Sequence, residues 1–328
     1  MNAKSANNPD KIGAQVVLLE VGEEAEGQRI DNFLHALAKG VPKSHIYRIL
    51  RSGEVRVNKG RVDATYRLKD GDVVRVPPMK LAGKVDSRPA PAAEFPILFE
   101  DGHILAIDKP AGVAVHGGSG VSFGVIEQLR KARPQAKFLE LVHRLDRETS
   151  GILLLAKKRS ALVNLHEQIR GTGMDKRYLA CVHGAFPNQR ANLKFPLHKF
   201  HTPEGERRVR VQPDGQASHT VIDRQRLLAG YSLLHATLRT GRTHQIRVHL
   251  AHAGFPIAGD EKYGDFALNK ELARPGAKPG LKRMFLHAWR LRLTHPDTGE
   301  ALELEEPLPP ECQDFLKQLE KMDAAAAI

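Results

Sequence analysis

The chain has few of the features that mark membrane, disulfide-bonded or zinc proteins. Its 328 residues include only two cysteines, Cys181 and Cys312, and no CxxC pair, which argues against a disulfide framework and a cysteine-based zinc site. No apolar run approaches the ~20 residues that a membrane-spanning helix needs. The first residues, MNAKSANNPDKIGAQ, lack the apolar core of a signal peptide. We therefore expect a cytoplasmic protein with no membrane association.

Positive charge, by contrast, is abundant. The formal net charge is +12 and the pI is about 9.7, which favours a polyanionic partner, nucleic acid first and an acidic membrane surface second. Residues 29–80 hold 12 Lys and Arg against 5 Asp and Glu. More than half of the surplus charge is thus concentrated in less than a sixth of the chain. We expect this segment to contact a phosphate backbone.

The length suggests about two domains, and composition places their boundaries. Residues 1–20 read as a flexible tail, and residues 28–80 as a small basic α/β domain. Residues 81–94, which are rich in Pro and Ala, are expected to be a linker. The larger domain is predicted over 95–318.

The basic segment shows two helical patterns followed by two strands. Apolar spacing predicts helices in RIDNFLHALAKG and in PKSHIYRILRSG, the second with Ser44 as its N-cap. EVRVN and DVVRV read as strands. The cations predicted to contact RNA lie around the second helix and its exit: Lys43, Arg48, Arg51 and Arg56. The alternative is a solvated helix face with incidental charges. The stretch also resembles the S4 domain, which implies binding to structured RNA through its shape and phosphates.

The remainder alternates strands with a few helices. ILFEDGHILAIDKP reads as strand, turn and strand, while SFGVIEQLRKARP and SALVNLHEQIRGTG read as amphipathic helices. KRYLACVHG, YSLLHATLRTG and MFLHAWRLRLTHP read as further strands. Strands outnumber helices and short turns join many of them. The fold class predicted is therefore α+β, with a mainly antiparallel mixed sheet flanked by helices.

One polar loop interrupts this apolar pattern, in LVHRLDRETSGILLLAKK. Asp146 stands there between Arg144 and Arg147. As a surface loop, it would place Asp146 as a turn cap in a weak ion pair. As a loop at the end of a buried sheet, it would present a carboxylate that a neighbouring guanidinium keeps ionised, which is a competent nucleophile.

A second polar segment, TGRTHQIRVHLAHAG, follows about a hundred residues later. We predict a helix that carries Arg242, His244 and Arg247 on its first two turns. Such a group would hold phosphates, or one member would pair with Asp146; a basic surface helix is the plainer interpretation.

Metal and cofactor sites find little support. His249 and His252 would supply two metal ligands at most, and HGGSG lacks the GK[ST] ending of a phosphate-binding loop. We expect neither a metal nor an organic cofactor.

Four segments together resemble the RluA-type pseudouridine synthases: DKPAGVAVHGG, HRLDRETSG, KRYLACVHG and GRTHQIRVH. With the S4-like part in front, the resemblance runs from about residue 28 to 310. It implies an enzyme that isomerises specific uridines to pseudouridine in large-subunit (23S) ribosomal RNA, either free or in a ribosome assembly intermediate. Nothing in the sequence requires more than a monomer.

The same resemblance implies roles for individual residues. Asp146 would be the catalytic carboxylate, and Arg247 would keep it ionised and aimed. Tyr178 would stack on the uracil, although a core tyrosine would look the same in sequence. Arg144 would fill the gap left by a flipped-out uridine. Whether Asp146 attacks the sugar, attacks the base or removes a ribose proton stays open.

Two other classes of function remain alternatives at this point. In a non-catalytic RNA-binding ribosome-assembly factor, Asp146 would be half of a structural ion pair. In a metal-dependent nuclease, a metal site would have to form from residues that show no such spacing.

Overall fold

The computed structural model describes residues 15–38, 41–79, 90–118, 121–171, 173–203 and 205–326. The chain divides into two compact units, Met1–Pro89 and Ala90–Ile328. The predicted flexible tail lies largely, and the predicted linker mostly, outside the described residues.

The first unit is a small three-stranded sheet with two helices. Its elements are β1 (Val17–Glu20), a 3-10 turn (Glu23–Ala25), α1 (Ile30–Leu37), α2 (Lys43–Arg51), β2 (Arg56–Val57) and β3 (Val73–Val76). The strands are antiparallel in the order β1-β3-β2. The inner faces of both helices pack on this sheet, with Leu34 and Ile49 almost fully buried. The helices and strands predicted for this segment are confirmed.

Two details of that prediction are wrong. Residues 17–20 are not a flexible tail, because β1 pairs with β3 and buries Leu19 in the core. Ser44 is not the N-cap of α2, which begins at Lys43 with Pro42 in the capping position. The four cations predicted to contact RNA are all exposed on α2 and β2: Lys43, Arg48, Arg51 and Arg56.

The second unit contains one large sheet, one separate hairpin and five helices among its described residues. Its strands are β4 (Ile97–Glu100), β5 (Ile104–Lys109), β6 (Glu140–Leu141), β7 (Ser150–Ala156), β8 (Asp175–His183), β9 (Arg190–Leu193), β10 (Leu197–His201), β11 (Arg207–Val211), β12 (Thr220–Leu228), β13 (Tyr231–Leu238), β14 (Leu286–Thr294) and β15 (Ala301–Glu305). Its helices are α3 (Val125–Ala132), α4 (Arg159–Arg170), α5 (Gln245–His252), α6 (Phe266–Leu272) and α7 (Pro310–Ala326).

The large sheet runs in the order β4-β5-β7-β14-β8-β13-β12-β9, with β6 beside β7 and β15 beside β14. Of its described strand pairs, only β7 with β14 is parallel. The prediction of an α+β fold around a mainly antiparallel sheet is confirmed. β7 is central because both of its faces are apolar: Leu153 and Leu155 pack into one core, whereas Ile152 and Leu154 pack into another.

The ends of the predicted larger domain need correction. Glu94, assigned to the linker, forms an ion pair with Arg133 within the second unit. Helix α7 continues to Ala326, past the predicted end at residue 318, and buries Cys312, Phe315 and Leu319 against the main core. None of the described helices combines the length and the apolar character needed to cross a bilayer.

Gly151 explains why the polar loop ends in Ser-Gly. Its φ is +102°, and a Cβ at this position would lie 2.3 Å from the carbonyl oxygen of Ala288. Only glycine allows β7 to approach β14 so closely at the point where the two strands pair. The Asp146 loop is thereby fixed beside the start of β7, one strand away from β8.

Candidate active site

A cavity of about 550 Å³ lies where the Asp146 loop, β8 and the start of α5 meet. The site residues predicted for the larger domain all line it: Arg144, Asp146, Tyr178, Arg242, His244 and Arg247. Three segments that are far apart in the sequence therefore converge on one space. The four cations on α2 and β2 belong to the other unit.

Arg247 connects two carboxylates. Its Nη1 donates to Asp146 Oδ2 at 3.1 Å, and its Nε and Nη2 donate to Asp260 Oδ2 and Oδ1, both at 2.8 Å. Burial by itself lowers the pKa of Arg247, but the hydrogen bond to Asp260 and the charges of both carboxylates raise it above its usual value. The bidentate bond to Asp260 fixes the plane of the guanidinium, which then faces Asp146 in one orientation.

Asp260 is held as firmly as Arg247. It is 1% exposed and accepts further hydrogen bonds from the backbone N–H groups of Lys262 and Tyr263. Burial raises its pKa, but the hydrogen bonds from Arg247 and the backbone, together with the charge of Arg247, outweigh burial and lower the pKa below its usual value. Asp260 was not predicted from the sequence, where its only signal was a polar turn, GDEKYG, directly after the apolar FPIA.

His244 faces Asp146 from a second direction. It precedes α5 in a left-handed conformation, with φ of +53°, and its Nε2 lies 3.9 Å from Asp146 Oδ1. The N–H of Val209 donates to the hydroxyl oxygen of Tyr263, which leaves the hydroxyl hydrogen for His244 Nδ1 at 2.7 Å. With the Tyr263 hydroxyl as the donor, we assign the ring hydrogen of the neutral imidazole to Nε2, on the side of Asp146.

The protonation state of His244 agrees with this arrangement. Burial lowers its pKa to about 4, although the charge of Asp146 opposes the shift. His244 is therefore a neutral N–H donor near pH 7. Tyr263, a second residue that was not predicted, fixes this tautomer and also lies under the Arg247 guanidinium, 5.1 Å from ring centroid to Cζ.

The prediction for the segment that starts α5 is partly wrong. Arg242 and His244 precede the helix, and only Arg247 lies within it. The buried Gln245 causes this, because its amide bonds to Thr240, to the Arg242 N–H and to β12, and so holds the preceding turn out of the helix. Arg247 is bound to two carboxylates and His244 is neutral, so Arg242, His244 and Arg247 do not form one phosphate site. Of the two expectations, the pairing with Asp146 is the one the structure has.

Tyr178 and Arg144 complete the group of predicted residues. Tyr178 is 6% exposed and lines the cavity, and burial, followed by the charge of Asp146, raises the pKa of its hydroxyl. Arg144 is exposed and lines the same cavity two residues before Asp146. An aromatic side chain and an arginine thus line the same cavity as the carboxylate.

Charge in the cavity lining is strongly unbalanced. Six cations line it, Arg144, Arg170, Lys176, Arg239, Arg242 and Arg247, against a single carboxylate, Asp146. Such a surface attracts a polyanion. Glycoside hydrolysis needs two carboxylates, the second to activate water or to protonate a leaving group, whereas a rearrangement without water needs only one.

The histidines considered as metal ligands have other partners. His249 Nε2 bonds to Ser218 and to the Phe195 carbonyl, and His252 packs against the Phe195 ring. No three His, Cys, Asp or Glu residues are grouped as metal ligands within the ranges that the structure describes.

Comparison with known proteins gives matches along most of the chain. Residues 103–252 match the model of the RNA pseudouridylate synthase family, and residues 28–74 match the S4 domain. The ribosomal large subunit pseudouridine synthase C of Escherichia coli K12 is 50% identical over 93% of this chain and 97% of its own length. The protein of the same name from Haemophilus influenzae is 49% identical over 95% of this chain and 98% of its own.

Solved structures agree with these matches. Human RNA pseudouridylate synthase domain containing 4 superposes with a TM-score of 0.55 at 26% identity, covering 68% of this chain and 92% of that protein. Human RNA pseudouridylate synthase domain containing 1 gives a TM-score of 0.54 at 25% identity, covering 71% and 95%.

Proposed function

The chain belongs to the RNA pseudouridylate synthase family, and we propose that it converts uridines of large-subunit ribosomal RNA to pseudouridine with Asp146 as the catalytic carboxylate. The resemblance inferred from four motifs is confirmed, and so is the S4 domain near the N-terminus. The protein is an RNA pseudouridine synthase, an isomerase. Large-subunit RNA as the substrate is supported by relatives that are named as large-subunit enzymes. These relatives are 50% identical to this chain over 93% of its length.

The observation that carries the proposal is the fixed position of Asp146. Its carboxylate lines the cavity and is 15% exposed, close enough to the surface for a nucleotide to reach it. Arg247 holds it from one side, and the neutral His244 lies on another. A carboxylate that served only as half of an internal ion pair would not need a cavity of about 550 Å³ beside it.

The reaction suits a site of this composition. The bond from ribose C1′ to N1 of the base breaks, the base turns, and a bond from C1′ to C5 forms. The proton on C5 is lost and N1 gains one, so no atom is added or removed overall. Attack on C1′, attack on the base and removal of a ribose proton all use one carboxylate, and none needs activated water.

The remaining cavity residues have roles that their chemistry supports. Tyr178 would stack on the uracil beside Asp146. Arg144 is exposed and planar, and would fill the space that the uridine leaves in the RNA. Flipping a base out costs a few kcal/mol, which such a contact offsets. Arg242 and His244 would contact the RNA or the target nucleotide from the turn before α5.

The basic surface of the S4 domain would supply affinity rather than chemistry. The exposed Lys43, Arg51 and Arg56 would contact phosphates, while Arg48 also pairs with Glu54. Within one chain, the cavity has its carboxylate, aromatic and cations together, which supports action as a monomer. The RNA substrate, free or in an assembly intermediate, would place the enzyme in the cytoplasm without a membrane partner.

The test is a comparison of three RNAs transcribed without modifications. Large-subunit RNA, small-subunit RNA and a pool of transfer RNAs are each incubated with the full-length protein, and pseudouridines are mapped by carbodiimide labelling and primer extension. We expect new pseudouridines at a few positions of the large-subunit RNA alone. Conversion confined to one of the other two RNAs would overturn the proposed substrate.

A further inference from the structure

Lys176 is a cation of the cavity with no counterion among the residues that the structure describes. It lies on β8 two residues before Tyr178, and both side chains line the cavity. Its ammonium group makes no hydrogen bond or ion pair within those same ranges. Burial lowers the pKa of Lys176, and no carboxylate opposes that shift within the described part of the chain.

The other cations of the cavity differ from Lys176 in one of two ways. Arg247 is buried but has two carboxylates. Arg144, Arg170, Arg239 and Arg242 are exposed, so that water solvates their charge. Lys176 combines partial burial with the lack of an anion, an arrangement that destabilises the free protein.

Open space adjoins the ammonium group. Apart from the two residues next to Gly241 in the chain, the nearest described atom to a Cβ built on Gly241 would be Lys176 Nζ, at 3.8 Å. A smaller cavity of about 30 Å³ lies beside the main one and shares Lys176, Thr240 and Gly241 in its lining. The room next to the charge is therefore available to a ligand from outside.

We propose that Lys176 binds one of the two backbone phosphates attached to the ribose of the uridine on which Asp146 acts. The inference rests on the proposed function for its ligand, since phosphates are the anions of an RNA. Side chains two residues apart on a strand are about 7 Å apart on the same face. When the base lies against Tyr178, the ribose lies between the base and the phosphate. The spacing between Tyr178 and Lys176 suits this separation. Binding supplies the missing counterion and positions the nucleotide.

The experiment uses a synthetic RNA hairpin that contains one mapped target uridine. Three forms are made: all phosphodiester, and one neutral methylphosphonate on either the 5′ or the 3′ side of that uridine. RNA binding and kcat/KM are measured for the wild type, Lys176→Met and Lys176→Arg. Lys131→Met is the matched control, because Lys131 is an exposed lysine on α3 that does not line the cavity.

On the phosphodiester, Lys176→Met is expected to lower kcat/KM about 10- to 100-fold, the range for a charge-assisted hydrogen bond. Lys176→Arg should recover part of the loss, and Lys131→Met should match the wild type. One methylphosphonate should reduce the wild type by a similar factor and leave Lys176→Met almost unchanged, because both changes remove the same contact. If each of the two methylphosphonate RNAs lowered kcat/KM of Lys176→Met by the same factor as that of the wild type, the losses would be additive and the inference would be overturned. A kcat/KM of Lys176→Met equal to that of Lys131→Met would also overturn it.

Two further readouts distinguish a phosphate contact from a structural role of Lys176 and from a protein that binds RNA without isomerising it. Removal of an unpaired, partly buried charge should leave stability to urea unchanged or raised, as followed by the fluorescence of the single tryptophan, Trp289. A marked loss of stability in Lys176→Met would instead indicate a structural role and overturn the inference. A wild type that binds hairpins with discrimination against one methylphosphonate but forms no pseudouridine would overturn the proposed function and leave the phosphate site standing.

Discussion

Arg247 Nη1 lies 3.1 Å from Asp146 Oδ2, although 101 residues separate the two in the sequence. The guanidinium cannot rotate away, because Asp260 binds it through two hydrogen bonds of 2.8 Å. Asp146 therefore owes its orientation to a residue that does not itself line the cavity. The roles of Asp146 and Asp260 can therefore be tested by separate substitutions.

Asp260→Asn is expected to impair catalysis through Arg247. The substitution keeps the volume but removes one of the two charges that balance the buried guanidinium. We expect kcat to fall about 100-fold, because the Asp146 carboxylate loses its fixed geometry. Loss of one member of a buried ion pair should also destabilise the second unit by about 3–5 kcal/mol. RNA affinity, measured by filter binding, should stay near that of the wild type.

Asp265→Asn provides the control for this prediction. Asp265 is a nearby carboxylate that caps α6 by accepting a hydrogen bond from the Leu268 N–H, and Asn caps a helix about as well as Asp. This variant should keep both its stability and its kcat. If Asp260→Asn kept the native kcat at a temperature where it is folded, Asp260 would have no positioning role.

The tautomer of His244 leads to a second prediction. In His244→Gln, an amide N–H can take the place of the Nε2–H group that faces Asp146, whereas in His244→Asn it cannot reach. We expect Asn to lower kcat about 10- to 100-fold and Gln to lower it much less. Tyr263→Phe should also lower kcat, because it removes the hydroxyl group that fixes the tautomer of His244. His252→Asn, at an exposed position of α5, serves as the control. Equal losses in the Gln and Asn variants would contradict the assigned donor.

Stability of the second unit should fall as the pH is lowered from 7.5 to 5. Burial lowers the pKa of His143 to about 3 and the pKa values of His244 and His287 to about 4. Unfolded histidines have a pKa of about 6.5. Between pH 6.5 and 4 the unfolded chain thus binds more protons, so acidification favours unfolding. Each histidine contributes up to about 2 kcal/mol of lost stability at pH 5.

The measurement for this prediction is urea unfolding followed by Trp289 fluorescence at pH 7.5 and 5. The imidazole of His287 bonds to Ser150 and to the Glu306 carbonyl inside the fold. His287→Asn should be less stable at neutral pH but lose less stability on acidification than the wild type. Equal unfolding midpoints for the wild type at both pH values would contradict the claim that folding lowers the pKa values of these histidines.

Much of this site could be predicted because its chemistry is concentrated in short motifs. The apolar pattern around HRLDRETSG placed Asp146 at the end of a buried strand, and the resemblance of the second motif to the family implied Arg247 as its partner. Asp260 and Tyr263 were not predicted. Both lie in a turn without regular spacing, and their roles follow only from three-dimensional contacts with Arg247 and His244.

The start of α5 was misjudged for a related reason. Spacing alone extends that helix back through His244, but the hydrogen bonds of the buried Gln245 hold the preceding turn apart. The end of the larger domain was also placed too early, because α7 packs one apolar stripe on the core and continues as an exposed helix to Ala326. Local periodicity shows which segments form helices, whereas tertiary hydrogen bonds decide where they begin and end.

The measurement that tests the central claim most directly is the release of tritium from large-subunit RNA labelled at C5 of uridine. Isomerisation replaces the C5 hydrogen by the bond to the ribose, so each conversion releases one label. The wild type, Asp146→Asn and the control Asp175→Asn are compared in EDTA, with RNA binding measured in parallel. Asp175 lies on β8 outside the cavity lining and pairs with Arg177. We predict release by the wild type and the control, and none by Asp146→Asn despite normal RNA binding. Release by Asp146→Asn at the native rate would contradict the role of Asp146 as the catalytic carboxylate.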